Sequence, residues 1–296
     1  MAEFLMTDPA HYRVGYEINP WMTPRLWGAD PLGHACAARR AWDELKRALE
    51  TAGARVRVIA GARGQPDMVF AANAAVVLDR RALPARFRHP ERSGEEVAYL
   101  SAFEALRCAG VLDEVAQIDD VVQEGAGDAI WDRRRGLFWT GFGPRSDRAA
   151  AEVISGWFGR PAVALELADP RYYHLDTCLL PLPGGEVVHY PPAFTAAGLR
   201  RLRSEVPGDL LIEASAADAV AFAVNAVALG ERVIMARGAP GLCQRLAGRG
   251  YRVTQLDLAP FLMAGGAAFC MTLRLDLTSA PTRFAALAMS DQRSCP

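Results

Sequence analysis

A thiol, an imidazole and several carboxylates stand out in this chain by type and spacing. The run Gly265-Gly266-Ala267-Ala268-Phe269-Cys270-Met271-Thr272-Leu273 places Cys270 at the mouth of an apolar, strand-like segment. Upstream, Tyr172-Tyr173-His174-Leu175-Asp176-Thr177-Cys178 sets an imidazole and a carboxylate at i and i+2. On an extended strand that spacing puts both on one face. A thiol that ionises, a histidine that carries its proton and a nearby carboxylate make the machinery of a nucleophilic hydrolase. Histidine, with an unperturbed pKa of about 6.5, serves as acid and base near neutrality. Gly265 and Gly266 permit a close backbone approach or an unusual turn before the thiol, which a cysteine that only fills core does not need. Cys178 shares the nominal face of His174 and Asp176 and is the rival nucleophile, with inner packing as its ordinary role.

Carboxylates and arginines complete the set. Glu124-Gly125-Ala126-Gly127-Asp128 brackets small residues with two acids, and Pro66-Asp67-Met68-Val69-Phe70-Ala71-Ala72-Asn73 carries Asp67 and the polar break Asn73. Carboxylates gathered near a thiol suit a planar guanidinium, which they bind bidentately. Arg88, Arg92 and Arg145 are candidates to receive a substrate's own carboxylate, with solvated surface as their ordinary reading. His89 lies in the same charged stretch. No phosphate-cradling glycine motif is present, so no nucleotide, flavin or metal is expected.

These groups must be held by regular elements. Helical spacing covers residues 37–52, 95–108, 146–158, 192–206 and 240–247. Each is followed by a strand candidate, at 55–59, within 111–118, at 162–167, 209–212 and 251–256. Further strand candidates are 14–18, 69–70, 75–78, 130–131, 137–140, 173–180, 187–190, 221–224, 232–235 and 270–275. Five loosely repeated strand-and-helix modules suggest a radial or closed α/β arrangement, with a doubly wound sheet as the alternative. Residues 80–96, charged and holding Pro84, Pro90 and Gly94, read as an exposed loop beside the pocket. No low-complexity linker divides the chain, so one domain over residues 1–296 is expected.

With 296 residues, 51% of them hydrophobic, and a net charge of −1, the chain has ample material for a core and no footprint for nucleic acid or a charged membrane. Neither a membrane-length apolar run nor a signal-peptide pattern is found, and a cytoplasmic address is expected. Cys36, Cys108, Cys243 and Cys295 read as bystander thiols in a reducing compartment.

Taken in order, Tyr16-Glu17-Ile18-Asn19-Pro20-Trp21-Met22, the Asp67 phrase, 124–128, His174-Leu175-Asp176-Thr177 and 265–273 resemble the guanidino-group-modifying superfamily. That superfamily includes arginine deiminases, dimethylarginine dimethylaminohydrolases, amidinotransferases and arginine dihydrolases. The resemblance covers nearly the whole chain and implies a fivefold pseudosymmetric α/β-propeller without a cofactor. It further implies that Cys270 attacks the guanidino carbon and that His174 protonates the departing amine and then activates water. Glu124 would orient His174 or bind the guanidinium, while Asp67 and Asp176 would hold its nitrogens.

Departures shape the expected substrate. Ala72 and Asn73 stand where familiar dimethylargininases carry two acids, and Asn73 resembles the arginine dihydrolase branch, which releases ammonia twice and leaves ornithine. Residues 125–128 hold one residue more than the common Glu-Gly-Gly-Asp form, leaving the register of Asp128 open, and Ala267 replaces a third glycine. An arginine dihydrolase is the leading expectation. Dimethylargininase, amidinotransferase, a deiminase that stops at citrulline, and a catalytically silent guanidino binder are the alternatives. A small cationic guanidino compound is the expected partner, and homo-oligomerisation is left open.

Overall fold

Asp30-Pro31 opens the longest helix for local reasons: the Asp30 side chain accepts from Gly33 N, and Pro31 occupies the first turn, where its missing N–H costs nothing. Ala38, Ala41, Trp42, Leu45 and Leu49 then form the buried stripe. A buried leucine of this kind stabilises by about 1.5–3 kcal/mol. Gly53, at φ +89°, reverses the chain into the following strand.

The computed structural model describes residues 1–117 and 120–280. Ile118, the last residue of one expected strand segment, and Cys295 lie outside the described residues. In chain order, β1 (Glu3–Thr7), α1 (Pro24–Ala29), α2 (Pro31–Thr51) and β2 (Arg55–Ile59) come first. Next are β3 (Ala75–Leu78), β4 (Arg81–Pro84), α3 (Pro90–Cys108) and β5 (Glu114–Val115), then β6 (Ala129–Asp132), β7 (Leu137–Phe142), α4 (Ala150–Phe158) and β8 (Ala162–Glu166). The series continues with β9 (Leu179–Pro181), β10 (Val187–His189), α5 (Ala196–Glu205) and β11 (Leu211–Glu213). It closes with α6 (Ala216–Val220), β12 (Val227–Leu229), β13 (Arg232–Ala236), α7 (Pro240–Ala247), β14 (Arg252–Leu256), α8 (Ala259–Leu262) and β15 (Leu273–Arg274).

These strands form five three-stranded mixed sheets among the described residues. Four are contiguous in sequence: an antiparallel pair, a helix, then a parallel third strand, as in β3-β4-α3-β5. The helix is the crossover that a parallel neighbour requires. The fifth sheet is assembled from both ends of the chain. β15 pairs antiparallel with β1 (Leu5 opposite Leu273), and β1 pairs parallel with β2 across α2. Residues from β1, β3, β6, β9, β12 and β15 line one apolar cavity of about 100 Å³. Its lining includes Val77, Ala129, Leu180, Val227 and Leu273 but neither Cys270 nor His174. No helix among the described residues is long and apolar enough to cross a membrane.

Several expectations are corrected. The segment 173–180 is a strand only from Leu179; His174 precedes a 3-10 turn, Leu175–Thr177, so the shared-face argument for His174 and Asp176 does not apply. Likewise 270–275 is a strand only at Leu273–Arg274, and Cys270 lies in the turn before it. Residues 14–18 form no strand, Val69 ends a 3-10 turn with Phe70 as its cap, and 221–224 is a turn. Most of these residues are apolar because they are buried, and burial alone mimics a strand pattern, while 14–18, with Gly15 and Glu17 exposed, is the exception. Residues 80–96 are not an exposed loop: they hold β4 and the start of α3, with Arg92 and Glu95 buried. Strand β1 was not anticipated.

One core group carries a pH consequence. His189 on β10 is buried, and neither ring nitrogen has a hydrogen-bond partner. Burial lowers its pKa below the ordinary 6.5. The unfolded chain therefore takes up the proton more readily, and the associated stability is lost as pH falls below about 6.5. His189→Leu is expected to flatten the unfolding midpoint across that window and to stabilise by about 1 kcal/mol. Denaturant titrations of both proteins at several acidic pH values check it.

Candidate active site

Each sheet begins with an inner strand, and the turn before each inner strand carries a buried polar group. These are Asn73 before β3, Glu124 and Asp128 before β6, His174 and Asp176 before β9, Asn225 before β12, and Cys270 before β15. Hydrogen bonds close four of these turns into a circuit, and the turn before β6 joins it at the His174 turn. Asn73 Nδ2 lies 3.4 Å from His174 Nδ1, and Leu175 N donates to Asp128 Oδ1 at 3.0 Å. Asn225 Nδ2 donates to the Asp176 carbonyl at 3.2 Å, Cys270 N to Asn225 Oδ1 at 3.2 Å, and Ala72 N to the Cys270 carbonyl at 3.0 Å. Cys270, His174, Glu124, Asp67, Asn73, Asp176, Asp128, Arg92 and Arg145 are all buried.

The thiol is held from two sides. Cys270 Sγ donates to Asp176 Oδ2 at 3.0 Å, while Asn225 Nδ2 donates to Sγ at 3.0 Å. Burial raises the thiol pKa well above its ordinary value, and the neighbouring Asp176 adds to this. Burial also lifts Asp176 to about 7, against the hydrogen bonds from Cys270 and Asn225. The two glycines upstream are required. Gly265 sits at φ +83°, and a Cβ on Gly266 would lie 2.4 Å from the Phe70 ring. Cys178 is excluded as rival: it is packed in an apolar cluster with its sulfur turned to the Leu175 carbonyl at 3.5 Å.

The tautomer of His174 follows from its neighbours. Arg92 Nη1 donates to Asn73 Oδ1 at 2.9 Å, which turns Asn73 Nδ2 toward His174 Nδ1. Nδ1 must then accept, and Nε2–H donates to Glu124 Oε2 at 2.7 Å. Glu124 Oε2 also accepts from Arg145 Nη1 at 3.0 Å, and Oε1 from Arg88 N at 3.0 Å. Burial would raise the Glu124 carboxyl, but the charge of Arg145 and the bond from His174 hold it well below the usual range. Asp128, lifted by burial to about 6, accepts from Ser146 Oγ at 2.6 Å and stands 3.9 Å from His174 Nε2. Asp128 also braces the His174 turn by accepting from Leu175 N. Gly125 and Gly127 take the tight contacts of this turn, a Cβ on either meeting Asn73.

The arginines differ from the expectation of open carboxylate receivers. Arg92 donates through Nε and Nη2 to Glu95 (2.8 and 2.9 Å), besides Asn73. Arg145 spends two donors, on Glu124 and on the Ile18 carbonyl at 2.9 Å. Arg88, partly exposed, donates to Asp147 and to the Arg145 carbonyl. A buried guanidinium needs such partners. Part-exposed His89 precedes α3, its pKa lowered first by burial and then by Arg145. On the substrate side Tyr16 Oη donates to Asp67 Oδ2 at 2.9 Å. Burial raises the Asp67 carboxyl, against Arg92 and Tyr16. Asp67 Oδ1 and Asp176 Oδ1 are buried without any donor.

Asn225 and Ser146 were missed from sequence. The one available signal for Asn225 was a lone amide among the apolar residues 221–229. Sequence offered no comparable sign for Ser146.

Residues 27–277 match the family model described as N,N dimethylarginine dimethylhydrolase, eukaryotic. The chain is 40% identical over 273 residues to the bifunctional arginine dihydrolase/ornithine cyclodeaminase ArgZ of Synechocystis sp., covering 92% of this chain and 37% of that protein. It is 36% identical over 272 residues to the N(G),N(G)-dimethylarginine dimethylaminohydrolase of Mycobacterium tuberculosis, covering 92% and 85%. A crystal structure of the N-terminal domain of ArgZ, a cysteine-to-serine variant bound to substrate, matches with a TM-score of 0.86 at 36% identity, covering 95% of this chain and 100% of that one. The chain thus spans 37% of the length of full ArgZ. A cysteine, a histidine and carboxylates gathered by five sheets, together with these matches, show that the chain belongs to the dimethylarginine dimethylaminohydrolase family of the guanidino-group-modifying superfamily.

Proposed function

We propose that this protein is a cysteine-dependent hydrolase of the guanidino group of arginine, working as an arginine dihydrolase. One observation carries the reading. A buried thiol is hydrogen-bonded to Asp176, and buried carboxylate oxygens on Asp176 and Asp67 receive no donor from the protein, while a planar guanidinium supplies donors to such oxygens. The Cys270 Sγ proton leaves through Asp176 and is taken up at His174 Nδ1, the thiolate attacks the guanidino carbon, and the same proton is handed to the departing amine as its C–N bond breaks. The same imidazole then takes a proton from the water that hydrolyses the thiouronium. Fixing carbon and sulfur in attack geometry supplies much of the rate.

Donor counting divides the arginines. Arg92 has four of its hydrogen bonds inside the protein and Arg145 two. Of five N–H groups each, Arg145 keeps more for the substrate carboxylate, and Arg92 positions Asn73. The five linked turns and the cavity shared by the inner strands support closure into a single fivefold propeller domain.

Asn73 favours the dihydrolase over the dimethylargininase. As an amide it leaves His174 Nδ1 unprotonated and able to serve as base again. Asn73→Asp would present a second acceptor to Nδ1, favour imidazolium and slow the second hydrolysis. Mass spectrometry of products from L-arginine and from asymmetric dimethylarginine tests this. Ornithine, with ammonia released twice per arginine, is expected from the native protein, and a larger citrulline share from Asn73→Asp. Citrulline and dimethylamine from the methylated substrate alone would reassign the protein to the dimethylargininases. An unchanged product ratio in the variant would remove Asn73 from the specificity argument.

A further inference from the structure

We propose that Asn225 is a catalytic group of this site, its side-chain amide holding the Cys270 sulfur as the attacking thiolate. The inference rests on Cys270 being the nucleophile, and it adds the donor that makes that sulfur usable.

Asn225 is oriented by four hydrogen bonds. Its Oδ1 accepts from Ala267 N at 3.1 Å and Cys270 N at 3.2 Å, which leaves Nδ2 facing the other way. Nδ2 then donates to Cys270 Sγ at 3.0 Å and to the Asp176 carbonyl at 3.2 Å. The amide cannot flip without setting two backbone donors against an NH2 group. It is wholly buried, so its donors see no competing water. The turn that delivers it contains Phe222 at φ +53°, a conformation that disfavours a bulky residue and is retained here because Phe222 is itself buried. Asn225 N closes that turn on the Phe222 carbonyl at 3.2 Å.

The need for such a donor follows from the rest of the shell. The titratable groups acting on the sulfur are Asp176, which accepts its proton, and Tyr173. A carboxylate beside a buried thiol works against the thiolate, and only the anion is the nucleophile. Asn225 and the backbone N–H of Ala267 are the groups that work the other way. As the proton leaves Sγ, the Nδ2–H bond becomes charge-assisted and strengthens.

Asn225→Asp removes the donor and adds a charge, so it is read beside Asn225→Leu, which removes the donor alone; an upward shift confined to the charged variant overturns the proposal. The introduced carboxylate still accepts from Ala267 N and Cys270 N but cannot donate to sulfur. The rate of alkylation of Cys270 by iodoacetamide, read by peptide mass spectrometry across pH, is expected to shift its inflection upward by at least about one pH unit. At a fixed pH below that inflection the rate should fall about tenfold. Thermal midpoints, which a buried carboxylate lowers, are measured alongside so that alkylation is read below the unfolding transition of each protein. An unshifted profile in a folded variant overturns the proposal. Should Asn225→Asp fail to fold, the native protein still decides. The Asn225 side-chain amide proton resonance should titrate with the Cys270 inflection and lose that titration in Cys270→Ser, whereas a resonance indifferent to pH overturns the proposal. Alkylation needs no substrate, so these results stand apart from whether arginine is turned over.

Discussion

Cys270→Ser is expected to lose turnover of arginine by on the order of 1000-fold or more while keeping the fold. The hydroxyl is close to the thiol in size, still donates to Asp176 and still accepts from Asn225, so the contacts around position 270 survive. What is lost is ionisation, since a serine hydroxyl is a far weaker acid than a thiol and the neighbours that take the thiol proton cannot take it. Turnover and thermal unfolding of the same preparation check both halves, and arginine should still raise the melting temperature of the variant. Native-like turnover would move the nucleophile elsewhere and sink the mechanism. The buried Cys178 is not available to replace it.

Glu124→Gln should damage activity and stability together, which separates it from Cys270→Ser. The carboxylate pairs with Arg145 at 3.0 Å and with His174 at 2.7 Å, all three side chains being almost wholly inaccessible. Removing its charge leaves Arg145 buried and uncompensated, at a cost of about 3–5 kcal/mol. It also frees His174 to adopt the wrong tautomer, and kcat is expected to fall by about 100- to 10,000-fold. The sign of the pH dependence is fixed by the depressed carboxyl. Its contribution is present above the unfolded value of 4.5 and is lost as pH falls below it. The native protein should therefore shed stability on acidification through that range, and Glu124→Gln should shed less. Urea denaturation at neutral and acid pH measures the difference. A variant as stable as the native protein would mean that Arg145 finds another counter-charge or is solvated.

The helices were legible because each satisfies a local rule. The helical spacing at 240–247 matches α7 residue for residue, and that at 37–52 falls inside α2 except for its last residue, Ala52, which caps the helix. Strands at 55–59 and 75–78 were equally clear, and the cysteine, histidine and carboxylates that the site gathers stood out by type, because glycines before a cysteine and carboxylates in an apolar chain are costly unless used. Tertiary structure decided the rest. His174 and Asp176 come together through a 3-10 turn, not through a strand face, and short buried turns leave no periodic trace in sequence. Arg92 reads as a surface residue until α3 packs it against Glu95 and Asn73. The pairing of β1 with β15 joins residues at opposite ends of the chain, and no local pattern encodes a partner so far away. Asn225 likewise becomes a donor to sulfur only where two turns from different sheets meet. The sequence by itself determined which chemical groups are present and where helices begin and end, because those depend on residue type and near neighbours. Which groups touch, and hence which proton each one holds, was decided by packing, because a hydrogen bond across the chain is set by where the burial of many side chains leaves its two ends.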